Sequence, residues 1–104
     1  MNGGSKLVGK AIASASAVHD YMQVSFSDGS GLNVYNQYVI TGTGDGALSE
    51  LDGRKVIAVR ETAEAVFVDL TDACVLMVTK ATREHDGPEL MEFNDGATIV
   101  VWQN

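Results

Sequence analysis

Three stretches of this chain hold residue types that can do chemistry. The first is GGSKLVGKA, residues 3–11. Gly4, four residues, then Gly9-Lys10 match the phosphate-loop pattern G-x-x-x-x-G-K. That chemistry needs a strand before the loop and a helix after it, so that backbone amides and the helix start face the phosphates. Only three residues precede Gly4, and Ala11 stands where a hydroxyl should meet magnesium. The stretch therefore reads as a turn entering a strand. The second is Arg83-Glu84-His85-Asp86-Gly87-Pro88-Glu89, where an imidazole lies among carboxylates. Such a loop has the groups for an acid–base pair or half a metal site. The other imidazole, His19, is far away in sequence and gives no ligand spacing. Its neighbour Asp20 would point to the opposite face of a strand. No catalytic, metal or cofactor-binding residue is assigned. Glu84, His85, Asp86 and Glu89 stand as a candidate interaction surface. The third is Cys74 with the serines. Cys74 falls on an apolar strand face, where a thiol is an inert small hydrophobe. No serine sits in a G-x-S-x-G elbow.

Five of the eight aspartates precede glycine, at Asp28, Asp45, Asp52, Asp86 and Asp95. The EF-hand spacing is absent, and Asp-Gly is a turn dipeptide. The bulk numbers set the frame. A chain of 104 residues makes one domain, 1–104, with residues 1–6 expected to be disordered. The net charge is −7, from two bases against five acids in residues 1–52 and five against nine in 53–104. The acidity is spread, not a tail. It repels phosphate backbones and anionic lipid, so neither nucleic acid nor membrane is an expected partner, and a basic protein is favoured. One cysteine excludes an internal disulfide and a C-x-x-C site. No apolar run approaches a membrane span. Cytoplasmic location is the expectation.

The elements that must position these residues come from a repeat. Sliding the sequence by 44 residues aligns LVGKAI (7–12) with LDGRKV (51–56), and VSFSDGSGLNV (24–34) with VDLTDACVLMV (68–78). Leu7/Leu51, Gly9/Gly53, Asp28/Asp72 and Leu32/Leu76 are among the identities. Each unit reads as a strand, a connection and a β-hairpin. A three-residue loop at 27–29 pairs Val24 with Leu32 and Met22 with Val34, and keeps the apolar residues on one face. The same logic pairs Leu70 with Cys74, Val68 with Leu76 and Val66 with Val78, and puts Ala73 in a left-handed position. A third hairpin around Asn94-Asp95-Gly96 is expected to pair Phe93 with Ala97 and Met91 with Ile99. TIVVWQ reads as a strand buried on both sides. Phe67, Val75 and Met77 make the second hairpin's other face apolar, so that hairpin is expected to be the more central one.

KAIASASAVHDY (10–21) is alanine-rich and is helical on propensity. Its partner, RKVIAVRETAEA (54–65), begins with β-branched residues and favours a strand. ALSEL is expected to make one helical turn, and ATREHDGPEL (81–90) a polar loop.

The pattern V-x-F-S-D-G-x-x-L-x-V-Y-N (24–36), then L-x-G-x-x-V, G-P-E-L-M (87–91) and V-V-W (100–102), resembles a set of small uncharacterised bacterial single-domain proteins. Some similar small acidic domains look like immunity or inhibitor partners. The chain departs from that pattern at Asn36-Gln37-Tyr38, where a proline often follows the asparagine. No catalytic residue carries over.

The expected fold is mainly β, an antiparallel sandwich or open barrel of six to eight strands, built from two pseudo-repeated units and a C-terminal hairpin. The alternative is α+β, with residues 10–20 or 60–66 helical. The expected function is a non-catalytic protein-interaction domain, not an enzyme, of the acidic inhibitor or immunity type. The alternatives are a small-ligand binder or minor enzyme using the 83–89 loop, and self-association through Phe67, Val75 and Met77.

Overall fold

The computed structural model describes residues 6–19, 21–44, 46–80 and 89–103. The strands are β1 (Ile12–Val18), β2 (Tyr21–Phe26), β3 (Gly31–Val34), β4 (Tyr38–Thr41), β5 (Val56–Glu61), β6 (Ala65–Leu70), β7 (Cys74–Thr79), β8 (Glu89–Asn94) and β9 (Ile99–Gln103). One turn of 3₁₀-helix, Leu48–Leu51, precedes β5, as expected for ALSEL. The strands form two open antiparallel sheets, ordered β1-β2-β3-β8-β9 and β4-β7-β6-β5. Their inner faces share one core, which includes Leu7, Met22, Val34, Leu51, Val66, Val78 and Phe93. The arrangement is a sandwich.

Period-2 patterning builds the two central hairpins. Met22, Val24 and Phe26 are buried while Gln23 and Ser25 are exposed. Val24 lies opposite Leu32 and Met22 opposite Val34, and the second hairpin repeats this with Val68–Leu76 and Val66–Val78. Both registers agree with the sequence reading. Gly29 is left-handed at φ 92°, and Ala73 takes the equivalent place at φ 61°.

The repeat is a pseudo-twofold. Ala11 and Lys55, 44 residues apart, face each other in an antiparallel bridge. The bonds around it come in matched pairs. The Gly9 amide donates to the Val56 carbonyl (2.8 Å), and the Gly53 amide to the Ile12 carbonyl (2.7 Å). Ile12 donates to Arg54 (2.8 Å) and Val56 to Lys10 (2.9 Å). Even the irregularity is shared: β1 bulges between Ile12 and Ser14, and β5 between Val56 and Ala58.

The strand that leaves each unit crosses to the other sheet. β4 follows the first unit but pairs with β7, and β8 follows the second but pairs with β3. The Thr79 amide donates to the Gln37 carbonyl (3.0 Å), and the Tyr35 amide to the Leu90 carbonyl (2.9 Å). Tyr35 and Thr79 are repeat equivalents, so β4 is the counterpart of β8. β9 then covers the outer edge of β8, and among the described strands β4 has no such cover.

Five expectations are corrected. Nine strands are present among the described residues, not six to eight. The one unforeseen is β4, a four-residue run too short to show a period. The α+β alternative falls, because residues 12–18 form a strand and 60–66 are strand, turn and strand. Pairing along β2 overrides alanine's helical preference in β1. The third hairpin pairs Asn94 with Ile99, Phe93 with Val100 and Met91 with Trp102. Its loop is one residue longer because the Asp95 carboxylate accepts the amides of Ala97 (2.9 Å) and Thr98 (2.6 Å) and closes the turn around itself. β9 is therefore an edge strand with Ile99 60% exposed, not a strand buried on both sides. Finally, both repeat hairpins are equally central in strand order, each flanked on both sides, although the first does turn Gln23 and Ser25 to solvent while the outer face of the second is half-buried, as expected.

Candidate functional site

The sequence-predicted residues separate in space. Glu84, His85 and Asp86 lie outside the described residues, and Glu89 begins β8 with its backbone opposite Gln103. His19 is exposed in the turn after β1, at φ 54°. Gly9-Lys10 is a turn: the Lys10 amide donates to the Leu7 carbonyl (3.1 Å), as Arg54 does to Leu51 (3.2 Å). No helix begins there. Of the start expected to be disordered, residues 1–6, residues 1–5 lie outside the described residues and Lys6 is exposed at the head of the turn.

The reactive side chains are engaged. The Lys10 ammonium pairs with Asp28 and sits 5.5 Å from the Phe93 ring centre. Ser30, buried, donates its hydroxyl to Asp28. Lys10 first, then Ser30, hold the Asp28 carboxyl well below its ordinary range. The repeat places Arg54, Asp72 and Cys74 at the equivalent points, with Arg54 Nη1 3.9 Å from Asp72. Cys74 is fully buried, and that burial pushes its thiol up, away from the reactive thiolate. The base–aspartate pairs of the two equivalent turns, Lys10–Asp28 and Arg54–Asp72, are accounted for by turn closure, with Ser30 bonded to Asp28 in the first and the apolar Cys74 in its place in the second. Among the described residues, no three His, Cys, Asp or Glu side chains gather where a metal could bind. No described helix is long and apolar enough to cross a membrane.

A different place stands out, where β3 of one sheet passes to β4 of the other. An open cleft of about 420 Å³ lies there, lined by Tyr35, Asn36, Gln37, Tyr38, Val39 and Thr79. The crossing forms this corner because Asn36, buried, donates its side-chain amide to the Thr79 carbonyl (2.9 Å) and pins the turn to β7. Tyr35 is held from the other side. Its hydroxyl donates to Glu92 (3.0 Å), and its ring packs on Tyr21 with centres 5.5 Å apart. The cleft walls are thus fixed by hydrogen bonds to β7 and β8 and by a ring contact with β2.

Among the described strands, none covers the edge beside the cleft. Since Gln37 and Thr79 form a hydrogen-bonded pair, so do Val39 and Met77. The alternation then turns the N–H and C=O groups of Tyr38 and Ile40 away from β7, toward the uncovered side. At Ile40 the approach is narrowed: a Cβ on Gly46 would sit 3.9 Å from its carbonyl oxygen. The freer part is at Tyr38, along the cleft.

An apolar row begins at the same edge. Val39, Met77 and Phe67 stand side by side on the outer face, and Val39 is 47% exposed. The Arg60 guanidinium lies over Phe67, 4.6 Å from its centre, and grips Asp69 with two bonds of 2.7 and 2.8 Å. That pairing holds the Asp69 carboxyl low and the Arg60 guanidinium high. Sequence reasoning found Phe67, Val75 and Met77 but missed Val39 and the cleft. The one signal was the departure at Asn36-Gln37-Tyr38, which falls on the cleft wall. Comparison with family models finds no match, and neither does comparison with curated proteins or with solved structures.

Proposed function

We propose that this domain is a protein-interaction module without chemistry of its own, which docks its partner along the open edge of β4. The observation that carries this is the unequal treatment of two equivalent strands: β8 bears β9, and β4 bears nothing among the described strands. An uncovered edge with outward amides and carbonyls is a template for another chain. The apolar row from Val39 to Phe67 supplies buried area for a partner lying across it. A net charge of −7 favours a basic partner and supports the finer reading, an acidic inhibitor or immunity-type protein.

Affinity capture from the native cell extract, run in parallel with Val39→Lys and Phe67→Ser, tests this. A protein retained by the parent chain and lost from both variants is the expected result. Capture that ignores both substitutions, or no capture at all, ends the proposal. A second reading, a small-ligand binder, draws on the cleft, whose volume is within the range of ligand pockets. It predicts a small molecule that raises thermal stability without any protein partner.

A further inference from the structure

Among the described strands the two sheets match except at one place, and the occupied copy describes what the open copy takes. We infer that the partner supplies an extended strand antiparallel to β4, carrying an aromatic side chain opposite Tyr38 that seats in the cleft. This rests on the open-edge reading above.

β9 is the guide. In the first sheet, Met91 faces Trp102 and Phe93 faces Val100 across the edge of β8. The crossing bonds equate Leu90 with Gln37, so Met91 corresponds to Tyr38, Glu92 to Val39 and Phe93 to Ile40. The place of Trp102 therefore falls opposite Tyr38, at the cleft. Directly opposed residues share a face, so the incoming side chain lies on the core side, as Trp102 does, buried to 6% exposure. The place of Val101 falls opposite Val39 and calls for an apolar residue; the place of Val100 falls opposite Ile40, where Gly46 already narrows the approach, so the strand pairs at Tyr38 and Val39 and leaves the edge there.

The cleft chemistry narrows the anchor. Tyr38 and Tyr35 line the cleft with aromatic rings, and the exposed side-chain amide of Gln37 brings an acceptor to the rim, the Thr79 carbonyl and hydroxyl being bonded to Asn36 and Gln37. A ring with a polar handle, Trp or Tyr, satisfies both where Phe satisfies one. Charge sets the flanks. A chain of net charge −7 attracts a strand bordered by Lys or Arg and repels an acidic one. The same charge disfavours a second copy of this chain as the occupant.

The probe is a synthetic peptide carrying this chain's own Thr98–Gln103 sequence between lysines, titrated into the full-length ¹⁵N-labelled protein. The expected result is saturable binding, with resonance shifts centred on Tyr35–Val39 and Thr79. Hydrogen exchange at the Tyr38 amide slows. Replacing the peptide's tryptophan by alanine weakens binding at least tenfold with the protein untouched, and Val39→Lys weakens it about as much. Absence of saturable binding overturns the inference. So does binding that ignores the tryptophan, shifts centred on Met91 and Phe93, or a concentration-dependent dimer abolished by Val39→Lys. If the peptide fails while Val39→Lys still strips the captured partner, the strand chemistry is wrong and the open-edge reading stands. If Val39→Lys leaves capture intact, the edge reading itself falls.

Discussion

Ala73 and Gly42 face each other across one tight contact, and they bear opposite strains. Ala73 holds φ 61° without the freedom of glycine. Ala73→Gly is expected to raise stability by about 1 kcal/mol, read as a melting point about 4 °C higher. Gly42 sits at φ 84°, and a Cβ there would lie 2.2 Å from the Ala73 carbonyl oxygen. Gly42→Ala is expected to cost about 2–5 kcal/mol, measured by the urea midpoint. Asp28 gives a pH signature. Its carboxyl is held low when folded, chiefly by Lys10, so the unfolded chain takes up its proton first. The contribution is full above the ordinary aspartate value of about 3.9 and fades as pH falls toward the depressed folded value. Asp28→Asn should flatten the acid side of a stability–pH curve between about pH 4 and 2. An unchanged slope would show that the Lys10–Asp28 pair is not formed in solution. Ala73 was legible from the sequence because its glycine counterpart, Gly29, stands 44 positions earlier. The Gly42 contact was not, since it joins two loops that only the fold brings together.

At the level of elements, the repeat makes paired experiments informative. Leu7 and Leu51 are both fully buried at equivalent turns. Leu7→Ala and Leu51→Ala are each expected to cost about 2–5 kcal/mol and to differ by less than about 1 kcal/mol. A large inequality in chemical denaturation would mean that the two turns support unequal parts of the core. The hairpins at 22–34 and 66–78 could be registered from sequence because apolar residues alternate on both arms and a slip would scatter them. The third hairpin could not. Ile99, Val100, Val101 and Trp102 are all apolar or aromatic, so either register puts hydrophobic residues inward. Asp95 decided it through two backbone bonds. β4 escaped notice for a related reason: YVIT has only four residues, and its exposed Val39 blurs the alternation. The candidate loop at 83–89 was chosen on residue chemistry alone, and the cleft is built instead from Tyr, Asn, Gln and Thr, which have no ligand spacing to read.

At the scale of the molecule, a 44-residue shift reveals the units, but the exchanged strands β4 and β8 are 53 positions apart in register, so an ungapped comparison passes over them. The exchange has a direct test. Residues 1–46 and 47–104, made separately, each hold a strand whose neighbour is on the other piece. Each alone is expected to show little β-sheet by circular dichroism, and mixing should restore the intact spectrum in a 1:1 species. A stable fold in the 47–104 piece by itself would contradict the exchange. The pseudo-twofold also bears on counting. Two separate identical halves joined about that axis would carry two identical open edges and bind two partners, or bridge them into chains. With both halves in one polypeptide, β9 closes one edge and leaves the other. Under the proposed docking at β4, the fused molecule would be monovalent: it would occupy a partner one to one and would not cross-link it.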